Sequence, residues 1–310
     1  MDGRLFETIY STIRSEYSPA DRPRRAGRPR VYGTDEVLLV WAFASLMNCP
    51  ISVARRKLLC EPVAWWLERH WSLKLRVPSL GTLTQRARQS DFRWLLRRVL
   101  RRLRSKLSSG PTHQVAMDST FLCTGPNSND SHSRWTCHSG KWFRGYALHT
   151  ICDRRGVLWA WHVTSANVQE MKVARRLVRQ LAASQASEIE LIIADSGYDS
   201  ERLHQLTRRR LKALLLTPLN LRGAKSGNWR SRQPGRAQCE KMLETKEGQA
   251  ALGHRSDVER WNSWFKGTSL VSMLPYHARH LHRVRRWVDL KLMVFFVHQW
   301  LTFEGFKSAS

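Results

Sequence analysis

Apolar positions along the chain change period once, near residue 110. Before it they recur at helical spacing. Val37, Leu38, Val40, Trp41, Phe43, Ala44 and Met47 follow Thr34 as a capping residue and stop at Asn48–Pro50, which predicts a buried helix. A short helix is expected within residues 1–21, with helical pieces at about 51–60 and 62–70. Ser79 caps a further helix at 80–89, and Asp91 opens a longer one through Lys106. In that last helix Phe92, Leu95, Leu96, Val99, Leu100 and Leu103 form one stripe, while Arg93, Arg97, Arg101 and Arg104 form another. Residues 1–110 therefore read as an all-helical region. Two accounts of it stand side by side: a bundle with a solvated basic face, or a set of helices containing a helix-turn-helix.

After Ser108–Pro111 the period becomes that of strands. His113–Asp118 reads as a strand and residues 126–140 as a polar loop. Strands follow at 142–152 and 156–163, joined at Asp153–Gly156 as a hairpin. A helix over Val168–Ala183 leads to the fully apolar strand Glu190–Ala194. Next come a helix at about 199–209, a strand at Ala213–Thr217 and a loop rich in Gly, Arg and Ser to about residue 237. The order predicts a mixed α/β domain over 111–310, a β-sheet with helices on its faces.

Charge narrows the class of partner. The 310 residues carry 52 Lys and Arg against 25 Asp and Glu, a net +27. The excess divides almost evenly, +13 over residues 1–110 and +14 over the rest, so both regions are expected to face a polyanion. The arm Asp21–Arg30 holds two prolines and five arginines. It reads as a solvated connector, or, through Arg28 and Arg30, as an arm entering the DNA minor groove. Trp135, Trp142, Trp229, Trp261 and Trp264 lie among basic residues, a mixture that serves either a core or stacking on an unpaired base. Six cysteines without a CxxC pair suggest reduced thiols, and the longest apolar run, Leu292–Val297, is too short to span a bilayer. MDGRLFETIY lacks the order of a secretion signal, so a cytoplasmic protein with no membrane partner is expected.

With so few carboxylates, their placement is informative. Asp118 ends the first predicted strand and Asp195 the apolar one; ligands of α/β sheets gather at such carboxyl ends. In the helical stretch His254–Lys266, Arg255, Glu259 and Lys266 fall on one stripe and Asp257 points away. Singly, each acid has a plain reading: a turn or cap for the aspartates, an i,i+4 partner of Arg255 for Glu259. Together they form an oxygen-rich set suited to Mg²⁺ or Mn²⁺, and two such ions can activate the attacking oxygen and stabilise the leaving one at a phosphodiester. Asp130, Asp153 and Asp199 read as structural, and His149 as a packed core histidine.

Four short motifs in order, Met117-Asp-Ser-Thr120, Gly145-Tyr-Ala-Leu-His149, Ala194-Asp-Ser-Gly-Tyr-Asp-Ser200 and Arg255-x3-Glu259-x6-Lys266, resemble the DDE transposases of bacterial insertion sequences over about residues 113–300. The resemblance implies an RNase H-like catalytic core behind a helical end-binding region. It also implies a triad of Asp118, Asp195 and Glu259 holding two metal ions, with phosphate gripped by Arg255 and Lys266. Lys141 and Arg144 join Arg28 and Arg30 as expected DNA contacts. The partners implied are transposon ends and target DNA, bound by a homodimer at the nucleoid. Family members often have a tyrosine three residues before the arginine; here Leu252 stands there. Two other outcomes of the same ancestry are a catalytically silent DNA-binding protein and a purely hydrolytic nuclease.

Overall fold

The computed structural model describes residues 3–18, 31–71, 76–108, 110–138, 140–184, 188–220, 233–269 and 274–309. Arg28, Arg30 and Trp229 lie outside them. The chain forms two compact units, Met1–Ser109 with Arg286–Ser310, and Gly110–Arg285. Residues 286–310 thus group with the helices, not with the sheet unit where the sequence reading put them.

The first unit contains α1 (Gly3–Glu16), α2 (Thr34–Leu46), α3 (Ile51–Leu59), α4 (Glu61–Trp71), α5 (Leu80–Arg86) and α6 (Ser90–Leu107), together with the C-terminal helix (Leu281–Ala309) from Arg286 onward. Helix α2 buries Val37, Leu38, Leu39, Val40, Ala42 and Phe43, and the C-terminal helix buries Val288, Leu292, Met293, Phe295, Phe296 and Val297. Side chains apolar on every side require a helix surrounded by others, which these are. Helix α6 divides as its stripes predict, its six apolar residues buried and Arg93, Arg97 and Arg101 exposed. One detail differs. Thr34 does not cap α2: its hydroxyl accepts from Arg86 (3.0 Å) and meets Asp91, and Gly33 occupies the cap. Ser79 does cap α5, accepting from the Thr82 amide at 3.2 Å. No single helix among the described residues is long and apolar enough to cross a membrane.

The second unit runs β1 (Gln114–Cys123), β2 (Arg134–His138), β3 (Lys141–Asp153), β4 (Leu158–Ser165), α7 (Glu170–Ala183), β5 (Leu191–Ala194), a 3-10 turn (Ser196–Tyr198), α8 (Glu201–Leu211), β6 (Leu214–Leu216), α9 (Pro234–Leu243), α10 (Lys246–Gly253) and α11 (Arg255–Ser269). The sheet order is β4-β3-β1-β5-β6, with β2 paired to the first residues of β3. Strand β3 is antiparallel to β1, β2 and β4, whereas β1, β5 and β6 are parallel. This mixed sheet with helical crossovers is RNase H-like, as the sequence reading expected. Val115 and Met117 of β1, Ile192 and Ala194 of β5 and Leu215 of β6 pack on Val173, Leu177, Val178 and Leu181 of α7 and Leu203 of α8.

Several departures have local causes. Strand β2 falls in the expected polar loop because its side chains are exposed on both faces, leaving no alternation to read. The loop expected to reach 237 ends earlier: α9 begins at Pro234, and its Arg236 is buried, donating to the Thr217 carbonyl (2.7 Å) and pairing with Asp199 (3.4 Å). The three acids read as structural are so. Asp130 accepts from the Tyr146 hydroxyl (2.6 Å) and the amides of His132 and His280; burial acts to raise its pKa, yet these bonds hold it below the ordinary value. Asp153 ties its own hairpin, accepting from the amides of Arg155 and Val157.

Gly145 has φ +153°, and a Cβ there would lie 2.2 Å from the Leu122 carbonyl oxygen on the neighbouring strand. Gly145→Ala is expected to lower stability by about 2–4 kcal/mol in urea unfolding, through strain and a forced backbone shift. At Gly125, where added bulk meets nothing within 4 Å, alanine should change it by less than about 0.5 kcal/mol. Equal effects at the two sites would contradict this account of the β1–β3 contact.

Candidate active site

Register brings the two aspartates together. Met117 of β1 lies beside Ala194 of the parallel β5, so the next residue on each backbone is Asp118 and Asp195, on strands about 4.8 Å apart. Asp118 does not end its strand as the sequence reading expected: β1 runs on to Cys123 because it stays paired with β3, and only its pairing with β5 stops before Asp118. Met117 and Ala194 both face the α7 core. Strand alternation therefore turns Asp118 and Asp195 to the opposite face. Helix α11 packs against β1 and β3, and its Asn262 donates to Asp118 Oδ2 at 3.1 Å. Asp195 also opens the 3-10 turn, accepting from the Gly197 amide at 2.9 Å. Its plain role as a cap and its place beside Asp118 coexist.

The electrostatics follow from this crowding. Burial first, then the charges of Glu170, Asp195 and Glu259, push Asp118 up to about 7, against the opposing pull of the Ser119 amide. A carboxyl held at this value binds a proton near neutrality unless a cation replaces it. Lys266 supplies one nearby charge. Burial lowers its pKa, while Cys123 and Asp118 pull it back up.

Glu259 is less closely held than the aspartates. It pairs with Arg255 at 3.3 Å, and both side chains are about half exposed, 52% and 45%. Asp257 points elsewhere, bonded to Arg260 and near His254 and Arg154. Leu252 belongs to α10, ahead of the helix carrying Arg255. Of the other expected DNA contacts, Lys141 is exposed and Arg144 half-buried at the start of β3. Trp261 is buried and stacked on Phe265, so it belongs to the core.

Three residues escaped the sequence reading. Glu170, in the first turn of α7, accepts a hydrogen bond from the Ser119 hydroxyl and adds to the charge around Asp118. Its signal was an acid opening the helix that starts just after β4, at the sheet end bearing the aspartates. Asn262 was legible by spacing, since Glu259, Asn262 and Lys266 stand at i, i+3 and i+7 on one helix face. Tyr198 is fully buried. Burial and then the charges of Glu170, Asp118 and Asp195 raise its pKa, against the opposing hydrogen bond with Ser119.

An all-oxygen donor set suits a hard divalent cation. The adjacent aspartates fit that requirement, and the buried Asn262 Oδ1 without a partner adds a further oxygen beside them. As placed, Glu259 is turned to Arg255, and among the described residues no three His, Cys, Asp or Glu side chains gather closely enough to hold an ion. Completing the set requires Glu259 to leave Arg255, and a half-exposed ion pair opposes that by only about 0–1 kcal/mol.

A family model described as a transposase DDE domain matches residues 109–296, well over half of the chain. No curated protein matches it.

In metal-free protein the raised Asp118 contributes stability that is fully present below about pH 4 and is lost as pH rises through about 7. Asp118→Asn should therefore be more stable than wild type at pH 8, by on the order of 2–4 kcal/mol, with the gap closing by pH 4. Urea unfolding in the presence of a chelator measures it. Equal stability at pH 8 would mean that the carboxyl is not crowded as described.

Proposed function

The chain belongs to the transposase DDE domain family, and from that membership we propose that it cuts the ends of an insertion sequence and joins them to target DNA. DNA is the partner this family implies, and its members generally use divalent metal ions. The observation that carries the reading is the neighbouring position of Asp118 and Asp195 just where the parallel pairing of β1 with β5 stops, beside a helix bearing Glu259 and Lys266.

Asp118 and Asp195 would hold Mg²⁺ or Mn²⁺, and Glu259 would complete the donor set after leaving Arg255. When bound, the two ions supply Lewis acidity to the attacking and leaving oxygens. The protein's own groups do the rest. Asn262 fixes the Asp118 carboxylate through its 3.1 Å bond, and Glu170 fixes Ser119 next to it. Arg255, released from Glu259, and Lys266 bind phosphate oxygens and orient the phosphorus for in-line attack. In cleavage a water oxygen forms the new P–O bond as the P–O3′ bond breaks, leaving a 3′-hydroxyl and a 5′-phosphate. In joining, that 3′-hydroxyl oxygen attacks a target phosphorus as the target's own P–O3′ bond breaks; the attacking hydroxyl gives up its proton to solvent, and the departing oxygen takes one up to become the target's free 3′-hydroxyl. Two ends enter one product, so the working form is a homodimer on DNA, at the nucleoid in the cytoplasm. Arg28 and Arg30 extend the contact along the ends.

The test uses purified protein, Mg²⁺ and duplexes carrying the inverted repeats that flank its coding region. Joined products are expected. Cut products alone would replace the reading with a nuclease, and bound but unbroken DNA with a silent binding protein. Asp118→Ala and Asp195→Ala should keep DNA affinity within about threefold and lose cleavage by about 10³-fold or more. Substantial residual cleavage by Asp118→Ala would remove that residue from the mechanism.

A further inference from the structure

Beyond the end of β1 the sheet continues as a two-stranded ribbon. The last β1 pair is Cys123 with Gly145, and Lys141–Arg144 of β3 then pair with β2. Trp135 lies directly opposite Arg144 and Cys137 opposite Trp142, so these four share one ribbon face. The other face is occupied: Phe143 stacks on Phe121 at 5.3 Å, and His138 lies against the same ring at 5.7 Å. The first face leaves Trp135 48% and Trp142 69% exposed.

Three features point to what covers that face. The chain from Ser131 to Cys152 contains no Asp or Glu; Arg144 shares this face with the two indoles, while Arg134 and Lys141, opposite Gly145 and His138, leave from the other face. Exposed indoles beside an arginine, with no carboxylate in the segment, suit a nucleic-acid strand, phosphate meeting the cation and bases the rings. Arg144 donates to the Pro126 carbonyl at 2.9 Å through Nη1 and has a buried Nε without a partner, so its guanidinium is held in place beside the ring. Finally, Thr150 is the partner of Asp118 on β3. Positions 144 and 142 are an even number of residues from it, which puts Trp142, Arg144 and Trp135 on the sheet face that bears Asp118.

We propose that this ribbon is a DNA-strand clamp, in which Trp135 and Trp142 stack on unpaired bases of the strand whose phosphate lies at Asp118. The inference rests on the transposase reading above and adds to it a site and a ligand state, single-stranded rather than paired DNA. Six to eight strand residues separate the ribbon from Asp118, about 20–27 Å at about 3.4 Å per residue.

The test compares the full chain with Trp135→Ala/Trp142→Ala and Trp135→Phe/Trp142→Phe. The probes are a 40-base-pair duplex and the same duplex carrying a six-nucleotide single-stranded gap with 2-aminopurine in it. Wild type is expected to bind the gapped probe tighter and quench its fluorescence. The alanine pair should lose about tenfold in affinity for the gapped probe and lose the quenching, with paired-duplex affinity unchanged within twofold. The phenylalanine pair should recover most of both. Because the indoles are exposed, melting temperature should stay within about 2 °C of wild type, separating lost contact from lost fold. Unchanged binding and quenching in the alanine pair would overturn the clamp while leaving the transposase reading intact. Loss of self-association in the alanine pair, with gapped-probe binding retained, would assign the face to a second copy of the chain and overturn the proposal equally. Failure of wild type to bind either probe would overturn the DNA reading and the clamp with it.

Discussion

The pairing of Met117 with Ala194 on two parallel strands is the constraint on which the rest depends. It sets two carboxylates next to each other at the sheet's carboxyl end, facing away from the α7 core. A slip of one residue in either strand would turn that aspartate into the apolar face formed with Val173, Leu177 and Val178. The apolar alternation of β1 and β5 therefore positions the chemistry. The same residues that bury the sheet fix where the charges emerge.

That arrangement concentrates negative charge in a protein of net charge +27. Asp118 is surrounded by Glu170, Asp195 and Glu259 and is pushed up to about 7. Such a site is electrostatically incomplete without a cation, and the fold keeps its basic residues close but not inside. Lys266 stands beside Asp118, and Arg255 occupies Glu259. In the function proposed above, arginines would meet phosphate on the surface and carboxylates would meet metal in the cleft, serving one ligand from two sides.

How much was readable in advance differed by element. Strands β1 and β5, helix α7 and the stripe of α6 announce themselves through apolar periodicity, and Asp195 and Glu259 through their place after a strand and on a helix face; Asp118, expected at a strand end, lies within β1, which runs on to Cys123. What escaped lacked a periodic burial signal. Strand β2 is exposed on both faces. Helices α9 and α10 bury Gly235, Arg236, Cys239, Gly248 and Ala251 rather than large apolar side chains. Glu170 looked like any acid at a helix start, and only the closeness of Ser119 across the fold gives it a place in the site. Spacing along α11 shows that Glu259 and Lys266 share a face and offers the i,i+4 pair of Glu259 with Arg255 that the structure holds at 3.3 Å, but it does not choose between that pair and a place beside the aspartates. A rotamer is set by neighbours and charge, not by periodicity.

The most direct measurement of the central claim adds Fe²⁺ to the metal-free protein, generates hydroxyl radicals with ascorbate and peroxide, and maps where the polypeptide breaks. Cuts clustered at residues 117–119 and 194–196, suppressed by excess Mg²⁺, are the result this account predicts. Cuts confined to segments away from both strand ends would contradict it.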